Sequence, residues 1–165
     1  RDGAGRARRR DGTGADVAAL GVSVLSPVAL SKRPHAYGDS LLAAPGAGRR
    51  AACAAAVVAT RTAPVRGSVV VVFAVEQNLS RRGMLTAISE FGPFAETLVV
   101  DGAAGDLGAI RARPDSTMAR GAAGLGLVRR LALPVRYAGT PVETVALPDI
   151  GALATRLRSW MGAGR

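Results

Sequence analysis

The side chains that most often do chemistry in proteins are scarce and scattered in this sequence. It has one histidine, His35, and one cysteine, Cys53, and they fall on unrelated segments. A zinc site needs about four donors from Cys, His, Asp or Glu, and a reactive cysteine needs a neighbour that stabilises its thiolate. We therefore interpret His35 as an ordinary surface residue in a loop and Cys53 as a small buried hydrophobe inside a helix.

A carboxylate at the end of a predicted strand is the best candidate for a site. Asp101 ends the apolar segment Thr97 to Asp101, and Glu76, Gln77 and Asn78 follow another apolar segment. Ligands of open α/β sheets bind at the carboxyl ends of the strands, so we expect these polar side chains to face one crevice. A single carboxylate has a second interpretation, in which it only caps the turn that follows.

The charge balance suggests an acidic partner. Lys and Arg number 22 against 12 Asp and Glu, which gives a net charge of +10, and every basic residue except Lys32 is arginine. Arg8, Arg9 and Arg10 form a basic run that could contact nucleic-acid phosphates, but no aromatic residue lies beside it to stack on bases. Codons for Arg, Ala and Gly are rich in G and C, so a high-GC bacterial genome explains part of this balance. Nucleic-acid binding is therefore kept only as an alternative.

The order of the predicted elements indicates an α/β domain over residues 43–165. Helices are predicted over Arg49 to Thr60, over Ser80 to Phe91 and from Asp149 onward, and strands over Gly67 to Val75, Thr97 to Asp101 and Leu131 to Tyr137. The valine-rich segment Gly67 to Val75 is apolar on both faces, which is typical of a strand at the centre of a covered sheet. Strands that alternate with helices favour a three-layer sandwich with a mostly parallel mixed sheet flanked by helices.

Two further segments precede this domain. Residues 1–16 are mainly Gly, Arg and Asp, a composition that predicts a flexible basic tail. Residues 17–42 contain loosely alternating apolar positions broken by Pro27, followed by a turn at Tyr37 to Ser40. This pattern predicts short strands of a small β-rich piece.

Four blocks of the sequence resemble segments of a known family. They are Leu20 to Val28, Pro45 to Cys53, Val71 to Gly83 and Leu133 to Val145. In this order they resemble the dinuclear zinc aminopeptidases of the glutamyl, deblocking and tetrahedral type. The last block, LPVRYAGTPVETV, is specific, because it resembles the family's LPVRYMHSPVETV along its whole length. The resemblance implies a zinc-exopeptidase-like fold in which residues 17–42 are the remnant of the family's β-rich insert domain.

The resemblance breaks at the positions that do the family's chemistry. The family's metal-bridging Asp is replaced by Gly48, its general-base Glu by Gln77, a ligand Glu by Asn78 and its last ligand His by Gly139. Only Asp101 matches a metal-ligand position. One ligand cannot hold a pair of zinc ions, and a carboxamide such as that of Gln77 is not a base at neutral pH. The other matches imply scaffold, and they are Gly83, Arg136, Tyr137, Pro141 and Glu143.

This pattern predicts a catalytically inactive homologue of zinc aminopeptidases that acts as a structural or interaction subunit. Zinc would be the family's cofactor, and we expect this chain not to hold it. The resemblance implies a homo-oligomer or a complex with an active paralogue. A single cysteine fits a reducing compartment, and neither a signal peptide nor a segment long enough to span a bilayer is apparent. We therefore expect a cytoplasmic protein.

Two alternatives stay open at this point. One is a metal-dependent aminopeptidase or other hydrolase, acting on a peptide, whose site is shared with another chain or is built around Asp101, Asp106 and Asp115. The other is a basic module that binds nucleic acid or an acidic partner. Its cationic residues would be Arg1 to Arg10 with the pairs Arg81-Arg82 and Arg129-Arg130.

Overall fold

Two compact units, Arg1–Ser31 and Lys32–Arg165, make up the chain in this computed structural model. The structure describes residues 13–26, 33–61, 67–75, 81–115 and 123–162. The boundary between the units falls at a different place from the predicted domain limits at residues 16 and 42, which rest on composition and resemblance.

The described part of the smaller unit contains a short helix, α1 (Gly14–Ala19). Thr13 and Asp16 start it with a reciprocal capping box, because the Thr13 hydroxyl accepts from the Asp16 N–H at 3.3 Å and the Asp16 carboxylate accepts from the Thr13 N–H at 2.7 Å. The prediction of a flexible tail through Asp16 is therefore wrong for residues 13–16. The short strands predicted between Val22 and Leu30 are also wrong for the described residues 22–26, which form turns and no strand. Residues 27–30 lie outside the described part.

The first sheet of the larger unit contains β1 (His35–Tyr37), β2 (Leu41–Ala43) and β6 (Thr144–Ala146), in the order β1-β2-β6. Both pairings are antiparallel, and the predicted turn at Tyr37 to Ser40 connects β1 to β2. Leu42 lies opposite Val145 in the register. The N-terminal and C-terminal parts of this unit are thus joined by backbone hydrogen bonds.

The second sheet contains β3 (Glu96–Ala104), β4 (Arg111–Pro114) and β5 (Leu127–Val135), in the order β3-β5-β4. The predicted strands at 97–101 and 131–137 are confirmed in β3 and β5, although β5 begins and ends earlier. β3 and β5 are parallel, with Val100 opposite Leu131, whereas β4 is antiparallel to β5. The expectation of a mostly parallel sheet is wrong for the described residues, because three of their four strand pairings, counting both sheets, are antiparallel.

Helices contact both faces of the second sheet, and the general α/β class is confirmed. On one face α2 (Ala47–Ala59) packs against α4 (Leu147–Gly162). They share a core with three β5 residues, Leu131, Leu133 and Val135. On the other face, residues of α3 (Arg82–Phe91) pack against Leu125 and Val128. Within the described residues, no helix is both long and apolar enough to cross a bilayer.

The three predicted helices are confirmed, and their small or periodic side chains explain the packing. Five alanines of α2 are buried, and they let the helix approach its neighbours closely; they are Ala47, Ala51, Ala52, Ala55 and Ala59. The predicted apolar face of α4 is buried at Leu153, Ala154, Leu157 and Met161 and half-buried at Ile150 and Trp160. The helix begins at Leu147, two residues before the predicted cap Asp149.

The valine-rich segment is where the prediction fails most clearly. Residues 67–75 form no strand, and Val71, Phe73 and Val75 are exposed. They make no backbone hydrogen bond to β3 within the described residues, although the two segments line one cavity of about 510 Å³. A strand requires a hydrogen-bonded neighbour. Valine content indicates β-propensity but does not supply that neighbour.

Candidate functional site

The carboxylate of Glu143 joins two of the positions that the resemblance assigns to metal ligands. Its Oε2 accepts a hydrogen bond from the Gly48 N–H at 3.2 Å, and its Oε1 accepts one from the Gly139 N–H at 2.8 Å. Gly48 lies in the first turn of α2, where N–H groups have no partner inside the helix. Glu143 therefore supplies an acceptor to the start of α2 and fixes the loop that precedes β6.

Gly48 has no room for a side chain. A Cβ built at this position would lie 2.5 Å from Val135 Cγ2 and 3.0 Å from the Gly102 Cα. Gly102 is equally confined, since its own Cβ would lie 2.8 Å from the Gly48 Cα. The first turn of α2 thus packs directly on the backbone of β3, and an aspartate at Gly48 would not fit without displacing one of them.

Asp101 lies beside this contact. Its strand, β3, continues to Ala104, so the prediction that Asp101 ends the strand is wrong by three residues. Its Oδ1 accepts from the Gly102 N–H at 2.8 Å and lies 3.8 Å from Arg49 Nε. The Asp101 side chain is 34% exposed, which leaves it accessible at the edge of the sheet. The interpretation that Asp101 caps a following turn is wrong, because its hydrogen bond is made to the next amide inside the strand.

The loop that carries Gly139 has two residues in the left-handed region. Tyr137 has φ of 54° and Gly139 has φ of 79°, and the Thr140 hydroxyl donates to the Tyr137 carbonyl at 2.7 Å. No atom lies within 4 Å of a Cβ built at Gly139. Space therefore permits a side chain there, unlike at Gly48, and the backbone conformation is what favours glycine.

The structure brings Gly48, Asp101 and Gly139 together, as the resemblance implies. Gln77 and Asn78 lie outside the described residues. So do Glu76 and the basic run Arg8, Arg9 and Arg10.

The residues present do not fit a pair of zinc ions. Two of the matched positions are glycines with no side-chain donor, and both oxygens of Glu143 accept from backbone amides. In the described part of the chain, no group of three or more His, Cys, Asp and Glu side chains could hold a metal ion. Zinc sites with protein ligands are built from three or four such donors. The described residues therefore supply no ligand set for metal chemistry.

The alternative site around three aspartates is not assembled. The Asp115 N–H donates to the Val128 carbonyl, whereas Asp101 lies opposite Ala132 on the other side of β5. Four residues along a strand correspond to roughly 13 Å, so the two carboxylates are far apart. Asp115 is 8% exposed and pairs with Arg130 at 2.9 Å. Asp106 is exposed in the turn after β3.

The single histidine and single cysteine differ in how well they were predicted. His35 is exposed, as predicted, although it lies in β1 and stacks on Tyr37 with the ring centroids 6.3 Å apart. Cys53 is exposed, so the prediction of a buried residue is wrong. It lines the cavity, together with Ala52 and Ala59 of the buried core.

One of the predicted basic pairs is already engaged by carboxylates. Arg129 lies 3.3 Å from Glu96, and Arg130 pairs with Asp115. These ion pairs reduce the charge that the pair could offer to a phosphate backbone. The pair Arg81-Arg82 lies at the start of α3.

Sequence reasoning missed the roles of two acidic residues. Glu143 was interpreted as scaffold, without its two amide partners. Asp149, predicted as a helix cap, is 6% exposed and accepts from the Gly108 N–H at 2.9 Å, so it holds the loop after β3. The only sequence signal that Glu143 has a specific partner was its place as an acidic residue in the mainly apolar segment Val142 to Ala146. No sequence signal pairs Asp149 with Gly108.

Comparison with known proteins gives no independent assignment. No protein-family model matches the sequence, and a search of curated proteins finds no matching relative. The resemblance to zinc aminopeptidases therefore stays a prediction that rests on the four sequence blocks.

Proposed function

We propose that this protein is a catalytically inactive relative of the dinuclear zinc aminopeptidases that acts as a structural or interaction subunit. The observation that carries the proposal is the environment of Gly48. The position that matches the family's bridging aspartate is filled by Val135 and Gly102, and its amide is bonded to Glu143. Val135 and Gly102 therefore fill the space that the side chain of a bridging ligand would need, and Glu143 binds the amide of the same residue.

The fold gives further support. The start of α2, the Asp101 carboxylate of β3 and the loop before β6 lie close together, which supports the resemblance. Helices on both faces of the second sheet are compatible with a zinc-exopeptidase-like three-layer arrangement. In our proposal the scaffold serves assembly, as a homo-oligomer or beside an active paralogue, in the cytoplasm.

The experiment combines metal analysis with an activity assay. The purified chain is incubated with zinc, dialysed, and analysed for bound metal, and hydrolysis of a panel of aminoacyl-nitroanilides is measured. We expect less than stoichiometric zinc and no hydrolysis. Asp101→Asn is the control, and it should leave both results unchanged. Stoichiometric zinc together with hydrolysis that is lost in Asp101→Asn would overturn the proposal.

The proposed assembly has its own test. Light scattering on the full chain gives its mass in solution, which we expect to exceed the 16.7 kDa of one chain. A mass of one chain over a wide concentration range would reject homo-oligomerisation. In that case only the complex with a paralogue would remain to be tested by co-purification.

A further inference from the structure

An apolar cavity of about 510 Å³ lies between α2, α3, β3, the segment 69–75 and α4. We propose that it binds an amphipathic anion with a carboxylate head and a linear apolar tail. Its volume is within the range of roughly 300–1,000 Å³ that is usual for small-molecule sites, which are mostly apolar with a few polar groups. The inference does not depend on the presence or absence of catalysis.

The shape of the cavity follows from one face of α2. Arg49, Ala52, Cys53, Ala56 and Thr60 line it, at the spacing of three to four residues that places side chains on one side of a helix. From Arg49 to Thr60 the helix rises by about 16 Å. The small alanine side chains leave space along this length, and valines of the segment 69–75 lie on another wall. An elongated apolar tail fits such a space better than a compact one.

Arg49 supplies the charge at one end. Its Nε is 3.8 Å from Asp101, which is too long for a hydrogen bond, and its side chain is 65% exposed. The guanidinium donates no hydrogen bond within the described residues, so its donors are available to a carboxylate. The other acid on the lining, Glu96, is paired with Arg129 at 3.3 Å. The ion pair with Asp101 balances the charge of Arg49, so the guanidinium donors, which make no hydrogen bond within the described residues, are what favours an anionic head at Arg49.

Two natural reporters line the cavity. Trp160 is the only tryptophan of the chain and Cys53 its only cysteine. Dodecanoate, titrated below the concentration at which it forms micelles, should change the fluorescence of Trp160 saturably. It should also slow the reaction of Cys53 with a thiol reagent over the same concentration range.

Variants and ligand analogues locate the head and the tail. Arg49→Gln should raise the dissociation constant for dodecanoate about tenfold, because a charge-assisted contact is lost. Arg50→Gln is the matched control, since Arg50 is the exposed neighbour outside the cavity lining, and it should bind like the unmodified protein. Dodecanol and dodecylamine should bind more weakly than dodecanoate. Ala56→Leu, which narrows the cavity, should weaken binding while Cys53 stays reactive.

Several results would overturn the proposal. These are no saturable fluorescence change with the folded protein, equal affinity for dodecanoate and dodecanol, and equal effects of Arg49→Gln and Arg50→Gln. Circular dichroism of each variant establishes that it is folded, so a loss of binding can be assigned to the site. Tighter binding of dodecylamine would mean that Asp101 selects a cationic head, which also rejects the carboxylate assignment.

Discussion

The carboxylate of Glu143 connects segments that are far apart in the chain. It accepts from the amide of Gly48 at the start of α2 and from the amide of Gly139 in the loop before β6. A buried amide that loses its acceptor is costly, since it has no water to replace the bond. At the residue scale, Glu143 therefore holds the start of a helix as well as the loop beside it.

The first prediction concerns this carboxylate. Glu143→Ala should lower the free energy of unfolding by about 1–2 kcal/mol, because the half-buried amide of Gly48 is left without an acceptor. Urea unfolding followed by Trp160 fluorescence measures the change. Glu90→Ala, at an exposed site of α3, is the control and should stay within about 0.5 kcal/mol of the unmodified protein. Equal losses in the two variants would mean that the amide contacts are not important.

The second prediction compares two glycines in helices. Gly48→Ala should destabilise the protein by about 1–3 kcal/mol, because the new methyl group overlaps Val135 and Gly102. Gly151→Ala should stabilise it by up to about 1 kcal/mol, because Gly151 is exposed in α4 with open space around its Cα. Urea unfolding of both variants measures whether each substitution lowers or raises the free energy of unfolding. A stabilising Gly48→Ala would show that the α2 start is not packed on β3.

At the scale of elements, the segment 67–75 contacts α3 at its last residue, Val75, and pairs with no strand in the described part of the chain. A Cβ built at Gly83, in the first turn of α3, would lie 2.6 Å from the Val75 carbonyl oxygen. The missing side chain lets the backbone of the segment approach the helix. This contact fixes one wall of the cavity.

The third prediction tests that contact. Gly83→Ala should push Val75 away from α3 and lower the free energy of unfolding by about 1–3 kcal/mol. The reaction of Cys53 with a thiol reagent should become faster, because the wall opposite α2 moves outward. Ser89→Ala, at an exposed position of the same helix, serves as the control for both measurements. If Gly83→Ala is destabilised but Cys53 reacts at an unchanged rate, the contact between Gly83 and Val75 does not position the cavity wall.

The fourth prediction concerns α1 and pH. The Asp16 carboxylate accepts hydrogen bonds from the backbone N–H and from the hydroxyl of Thr13. These bonds hold the pKa of Asp16 below its ordinary value of 3.8, and the backbone bond has the larger effect. A carboxylate whose pKa is lowered by folding stabilises the folded form above its unfolded pKa, and this contribution is lost as the pH falls through the lowered value. The helical content of residues 14–19 should therefore decrease below pH 3.8 and stay constant between neutral pH and about pH 5.

Carbon chemical shifts of Ala15 and Ala18 report this helix residue by residue. Asp16→Asn removes the titrating group, so its shifts should show no transition in the acidic range. A transition of equal size in Asp16→Asn would assign the pH dependence to another group.

At the scale of the whole molecule, the larger unit contains its own core. The buried apolar residues of both clusters run from Ala44 to Met161. Both sheets are formed within residues 35–146. None of the described residues of the smaller unit belongs to these clusters or sheets.

The fifth prediction is that residues 32–165 fold without the smaller unit. The shortened chain should unfold in urea with a midpoint close to that of the full chain, because every strand pairing and core residue is retained. Trp160 lies in the retained part and reports the transition in both chains. A large fall in the midpoint, or loss of the cooperative transition, would show that residues 1–31 support the larger unit.

Local patterns in the sequence were sufficient for most of the elements. The alanine-rich run specified α2, and the spacing of Leu153, Leu157 and Met161 specified the buried face of α4. The strands at β3 and β5 followed from short β-branched or apolar runs. Each of these signals depends on side chains that are close in the chain, which is why they could be read directly.

The site was predicted only in part. Two of the four blocks contain Gly48 and Gly139, Asp101 was predicted from its place in a strand, and the structure brings these three residues near one another. The partners of Glu143 and Asp149 could not be predicted, because each pairs with an amide distant in sequence and any backbone amide can donate. The exposure of Cys53 depended on which side of α2 faces the core.

The sequence by itself determined the α/β class and the three main helices. Only the tertiary structure decided that β4 is antiparallel, that residues 67–75 pair with no strand in the described part, and that Gly48 has no room for a side chain. The physical reason is the range of the interactions. Propensity and periodicity act between neighbours in the chain, whereas strand pairing, close packing and amide partners are fixed by segments that meet only after folding.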